Sequence, residues 1–145
     1  MDIFEHLKND HRKVSALMTQ IEQTDDEGER QTLFQDLKVA VIRHAKAEEA
    51  TFYSFLDRYE EMEDLIAEAR EDHQMVESLI HDIESLPATS VEWMTHFQEL
   101  KESIDDHVDQ EETEIFEEAR MIIDGREADE LERRMAKQEA QISTT

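Results

Sequence analysis

Asp10-His11-Arg12-Lys13-Val14-Ser15-Ala16-Leu17 returns 62 residues later as Asp72-His73-Gln74-Met75-Val76-Glu77-Ser78-Leu79. Aspartate, histidine, valine and leucine keep their places in both copies, and Ile21-Glu22 recurs as Ile83-Glu84 at the same offset. A second set repeats at an offset of 63, where Phe34, Leu37, His44, Glu48 and Glu49 fall on Phe97, Leu100, His107, Glu111 and Glu112. Self-similarity at a fixed spacing marks one supersecondary unit used twice. The chain therefore reads as two helical hairpins about a pseudo-twofold axis. Each carries the same set, a histidine and then His-x-x-x-Glu.

Outward from these stretches, apolar residues recur at the three- and four-residue steps of an amphipathic helix. Asp2 can cap the first helix, with Glu5 completing a capping box, and the helix runs to about Gln23. After a polar turn at Thr24 to Gly28, a second helix carries Leu33, Phe34, Leu37, Val41, Phe52, Phe55 and Leu56 to near Arg58. A third begins after Met62 and stops at Leu86-Pro87, beyond which Thr89 with Glu92 offers another capping box. The fourth ends at Asp124-Gly125, where glycine can take a left-handed cap. Four helices of about 22 to 34 residues with short connections specify an all-α, antiparallel up-down-up-down four-helix bundle over residues 1–125. Residues 126–145 hold a short charged helix and a frayed Ser-Thr-Thr tail. That helix has few apolar positions, mainly Leu131 and Met135, and is expected to pack across one end of the bundle or onto a protein partner.

Composition narrows the function. The 145 residues include no cysteine, which excludes disulfides, iron–sulfur clusters, thiolate zinc sites and cysteine nucleophiles. Two glycines and one proline cannot build a dinucleotide-binding loop or a P-loop. A formal charge of −24 repels phosphate backbones, so neither nucleic acid nor an anionic membrane is an expected partner. No apolar run approaches the ~20 residues of a membrane span, and no signal peptide opens the chain. A soluble, cytoplasmic helical protein is expected, and its seven histidines need an explanation.

Positions i and i+4 share a helix face. His44 with Glu48, and His107 with Glu111, lie on faces that are otherwise apolar, as do His11 and His73. Counted from one end of the bundle, these six residues lie 9 to 16 positions deep, roughly 14 to 24 Å, and can meet in one layer. Burying six such groups without a cation is unfavourable by many kcal/mol. Imidazole with carboxylate suits iron, manganese or zinc, whereas calcium and magnesium want oxygen. Two carboxylates from different hairpins can bridge two ions about 3.5 Å apart, and six or seven donors exceed the four that zinc prefers. The pattern argues for two iron ions.

The ordered motif His11, His44/Glu48, His73, His107/Glu111 resembles that of the hemerythrin HHE cation-binding family over about residues 2–123. The resemblance implies a non-haem di-iron centre with bridging carboxylates and an oxo or hydroxo bridge. Oxygen-carrying hemerythrins place a second histidine one turn after the third-helix histidine, where this chain has Glu77. Their last helix carries His-x-x-x-x-Asp, where this chain has His-x-x-x-Glu. Glu77 is expected as a third carboxylate ligand, which would favour the ferric state over reversible dioxygen carriage.

Other candidates rank lower. Glu49 and Glu112 fall off the ligand face and read as salt-bridging or supporting carboxylates. Asp10 and Asp72, which precede their histidines in both hairpins, attract metal, orient neighbours or are solvated. Helical projection turns Tyr53 away from His44, and its repeat mate is Phe116. His96 projects inward but about 16 Å from His107, at the bundle end, while His6 and His81 read as surface. The expected function is reaction with O2, peroxide or another small oxidant, as sensor, scavenger or weak peroxidase- or catalase-like protein. Reversible O2 storage or transport and iron sensing or handling are the alternatives. No appended output domain and no preceding cysteine-bearing repair domain is expected, which weakens the sensing and repair versions.

Overall fold

A computed structural model describes residues 1–142; the expected Ser-Thr-Thr tail lies outside the described residues. These residues form five helices and no strand. Helix α1 spans Ile3–Gln23. Helix α2 runs as α-helix over Glu27–Glu48, widens into a π-helical turn at Glu49–Tyr53 and finishes at Ser54–Leu56. A single 3-10 turn, Glu60–Met62, leads into α3, Glu63–Glu84. Helix α4 repeats the plan of α2: Val91–Gln110, a π turn at Glu111–Ile115, then Phe116–Ile122. Helix α5 is Gly125–Gln141.

The caps explain the boundaries. Asp2 accepts from the Glu5 amide at 2.9 Å and Asp26 from that of Glu29 at 2.8 Å, which satisfies orphan donors at the starts of α1 and α2. Ser90, not Thr89, caps α4, accepting from Trp93 N at 3.1 Å. Asp124 and Glu127 form a reciprocal capping box for α5. Gly125 is thus the first residue of α5 rather than a left-handed cap on α4, and neither glycine has a positive φ. An aspartate able to start the next helix at once removes the need for a glycine stop.

The start of α1 meets the ends of α2 and α4, where Phe4 packs edge-on to Phe52 at 5.9 Å and to Phe116 at 5.2 Å. At the opposite end Phe34 of α2 meets Trp93 of α4 at 5.5 Å. Arg30 fastens that end, donating to the carbonyls of Ala88 and Thr24. The core is two apolar clusters. One gathers Ile3, Phe4, Leu7, Phe52, Ile66 and Phe116; the other gathers Val14, Ile21, Phe34, Ile80, Trp93 and Ile104. The polar histidine and glutamate layer lies between them.

Helix α5 settles along α1 and the α2 π turn and buries Ala128, Leu131 and Met135. Met135 Sδ lies 3.6 Å from the buried Thr51 hydroxyl. The apolar face expected to cross a bundle end or to meet a partner is therefore consumed within the chain. Two large apolar residues suffice for this because acids on α5 reach α1 on either side of them.

Candidate metal centre

His11 comes from α1, His44 and Glu48 from α2, His73 from α3, and His107 and Glu111 from α4. All six are buried, and both glutamates are fully so. They form two groups of four. His11, His44, Glu48 and Glu111 bring one donor atom each within 4.8 Å of one another, and so do His73, His107, Glu48 and Glu111. Glu48 and Glu111 belong to both. His73 Nε2 lies 3.2 Å from Glu48 Oε1, His11 Nε2 3.3 Å from Glu111 Oε1, and His44 Nε2 3.4 Å from Glu48 Oε1. Neighbouring ligands about an ion with bonds of about 2.1 Å stand roughly 3.0–3.4 Å apart. The separations match that edge.

Hydrogen bonding distinguishes this layer from a satisfied polar core. His11 Nε2, His44 Nε2, Glu111 Oε1 and both Glu48 oxygens are buried with no partner. Buried polar atoms left unpaired cost on the order of 1–3 kcal/mol each, and a cation between them would remove that cost. The electrostatics agree. Burial alone would lower the histidine pKa values, yet the Glu48 charge and the Asp10 hydrogen bond push His44 well above its usual value. The adjacent Glu48 carboxylate and the Glu49 hydrogen bond likewise outweigh burial and raise His73 to about 9. Burial would raise the Glu111 carboxyl, but His107 and His11 hold it well below the usual range. The layer calls for positive charge.

Each histidine presents Nε2 inward because a carboxylate holds its Nδ1. Asp10 bonds His44 at 2.9 Å and Asp72 bonds His107 at 3.0 Å. Glu49 bonds His73 at 2.9 Å and Glu112 bonds His11 at 2.6 Å. Such carboxylates fix tautomer and ring orientation in metal sites. Glu49 and Glu112 thus take the supporting role expected of them, and Asp10 and Asp72 orient histidines rather than standing free in solvent.

Two placements differ from the sequence reading. Glu77 is exposed and lies outside both groups of four. It lines the rim of a cavity of about 70 Å³ above the layer, with Lys46, Val41, Val76 and Ile104. One turn beyond His73 carries it about 6 Å along α3, to the cavity lining rather than into either donor group. Tyr53, by contrast, points into the layer. It is fully buried, its ring stacks on His73 at 5.3 Å, and its hydroxyl donates to Glu111 Oε2. Projection at 3.6 residues per turn misplaces it because the π turn Glu49–Tyr53 inserts an extra residue, so that i and i+5 share a face. Burial, together with the Glu111 and Glu48 charges, raises the phenol well above its usual pKa and keeps it neutral. The one available signal is its repeat mate Phe116, also five residues after a ligand-type glutamate and also buried.

Of the remaining histidines, His81 is exposed and His96 turns back on the Glu92 carbonyl at 2.8 Å. His6 is not free surface: its side chain is 13% exposed, between α1 and α5.

Helices that bring two histidine pairs onto two shared, buried glutamates define a cation-binding helical protein. The sequence matches the Hemerythrin HHE cation binding domain over residues 2–119, and the chain belongs to that family. The structure is similar to that of a hemerythrin HHE cation binding domain-containing protein from Mycobacterium kansasii. The TM-score is 0.80 at 25% identity, over 97% of this chain and 86% of that one. An uncharacterised hemerythrin-like protein of Schizosaccharomyces pombe is 29% identical over 71% of this chain and 52% of its own length. A DNA nickase of Nostoc is 27% identical over 80% of this chain and 33% of its own. The chain thus spans about half or less of the length of these two relatives. No helix among the described residues is long and apolar enough to cross a membrane.

Proposed function

We propose that this chain is a non-haem di-iron protein of the cytoplasm that binds or reacts with dioxygen, peroxide or another small oxidant. In this reading residues 1–125 form an antiparallel up-down-up-down four-helix bundle and residues 126–145 an appendage to it. His11 and His44 would hold one ion and His73 and His107 the other, with Glu48 and Glu111 within reach of both. The observation that carries the reading is the pair of donor groups sharing two glutamates, of which both Glu48 oxygens and Glu111 Oε1 lack a hydrogen-bond partner. Two imidazoles and two carboxylate oxygens per ion leave positions for a small ligand, a donor set suited to iron. Iron held there would supply electrons to an oxidant.

Side chains around the layer restrict access and hold a proton. Val14, Val41, Val76 and Ile104 wall a cavity of about 70 Å³, with room for a diatomic molecule or peroxide. Tyr53 keeps a phenolic proton beside Glu111, where reduced oxygen would need one. With Glu77 outside the donor groups, its charge no longer argues against oxygen carriage. The Tyr53 proton favours reduction of an oxidant, because reduced oxygen must take up protons to leave as peroxide or water. A role on DNA is not proposed, because the charge of −24 opposes contact with a phosphate backbone.

The test is anaerobic iron loading, metal analysis, and optical spectra before and after air and peroxide. Two irons per chain, irreversible oxidation in air and consumption of peroxide are expected. A spectrum that cycles with oxygen would select storage or transport. Oxidation without peroxide consumption, in which metal occupancy alone alters the fold, would select iron sensing. One zinc and no iron would overturn the di-iron reading.

A further inference from the structure

We propose a second cation site, separate from the buried pair: a single divalent transition-metal ion of zinc or ferrous type, held by His6, Asp10 and Glu139 between α1 and α5. His6 Nε2 is hydrogen-bonded to Glu139 Oε1 at 2.5 Å, a contact that an entering ion would part by about 0.5 Å or more, and lies 3.6 Å from Asp10 Oδ2. One donor atom from each of the three falls within 4.8 Å of the others. Glu132 Oε1 stands 3.0 Å from Nδ1 on the other side of the ring. This arrangement is the one seen at all four core histidines, with Nδ1 held by a carboxylate and Nε2 turned toward further donors. An imidazole with carboxylate oxygens suits zinc, iron or manganese rather than calcium or magnesium. The side chains of His6, Asp10 and Glu139 are 13%, 13% and 18% exposed, within reach of an ion from solvent yet sheltered enough to fix its ligands.

Charge separates this site from a plain ion-pair latch. Among the described residues no lysine or arginine pairs with Asp10, Glu132 or Glu139 within 4.0 Å. Three carboxylates facing one protonated imidazole leave two negative charges unanswered there; a divalent ion on neutral His6 leaves one. Asp10 Oδ2 also accepts from His44 Nδ1 at 2.9 Å, so the outer site touches the shell of the buried one.

Zinc serves as the probe, in equilibrium dialysis of the full chain and in crystals examined at the zinc absorption edge. An anomalous peak beside His6 Nε2, Asp10 and Glu139 is expected. His6→Gln and Glu139→Gln should each bind one ion fewer per chain than the unsubstituted protein. Glu132→Gln keeps every donor atom and should weaken that ion about tenfold or more. Because the count is a difference between proteins, the occupancy of the buried site drops out and the di-iron reading is left untouched. An equal zinc count in His6→Gln would overturn the proposal. So would the absence of anomalous density between α1 and α5, a result that needs no variant to fold.

Discussion

Tyr53→Phe removes one oxygen atom from the centre of the protein. The ring should stay where it is, since Phe116 fills the matching position in the other hairpin and is equally buried. What is lost is the hydrogen bond to Glu111 Oε2, a buried carboxylate held ionised well below its usual range. A hydrogen bond to a charged group contributes roughly 1.5–3 kcal/mol. With a urea slope of about 2 kcal/mol/M for a domain of this size, the midpoint should fall by about 1 M. In melting temperature the loss corresponds to roughly 4–9 °C. Those figures apply to protein stripped of metal. Once a cation partners Glu111, the oxygen is no longer orphaned and the loss should shrink below about 1 kcal/mol. Urea denaturation of both proteins, with chelator and after metal loading, measures both limbs. A metal-free variant as stable as the parent would refute the placement of the phenol. An undiminished loss after metal loading would refute Glu111 as a cation ligand.

The same geometry sets three further outcomes. Glu77→Gln should leave metal content unchanged, because the carboxylate is exposed on the cavity rim; loss of an ion, read by metal analysis, would restore it to the ligand set. Asp72→Asn should weaken metal binding about 10- to 100-fold by releasing His107, and equal affinity in a competition titration would remove Asp72 from its positioning role. The metal-free protein should lose stability in alkali. His73 has a folded pKa of about 9 against about 6.5 unfolded, so its contribution is complete below about 6.5 and disappears as pH rises through 9. Thermal melts in chelator that stay level from pH 7 to 9.5 would contradict this, and metal affinity should move the opposite way as the imidazole proton leaves.

Much of this arrangement is legible in the sequence because an α-helix preserves residue spacing. His44 with Glu48 and His107 with Glu111 share faces by the four-residue rule, and the repeat at offsets of 62 and 63 tells which elements correspond. The rule fails beyond Glu48 and Glu111, where both helices widen to π turns that hydropathy does not announce. Tyr53 is misdirected for that reason. Glu77 is misplaced for another, since sharing a face with His73 fixes angle but not depth, and one turn along α3 the side chain reaches the cavity rim. His6 reads as surface because its partners lie 126 and 133 residues away on α5, whose docking depends on a sparse stripe of Ala128, Leu131 and Met135.

The four outer hydrogen bonds are of two kinds, two of each. Asp10 to His44 and Asp72 to His107 stay inside their own hairpins, whereas Glu49 to His73 and Glu112 to His11 cross from one hairpin to the other. Under the pseudo-twofold axis the two crossing bonds exchange places, which is the reciprocity of an interface between identical subunits. Each half thus carries both the donor and the acceptor that its mate requires. Two copies of residues 2–58 could make every one of these contacts with each other. In evolutionary terms the chain has the form of a fused homodimer, with its symmetry since broken by Tyr53 on one side and Phe116 on the other.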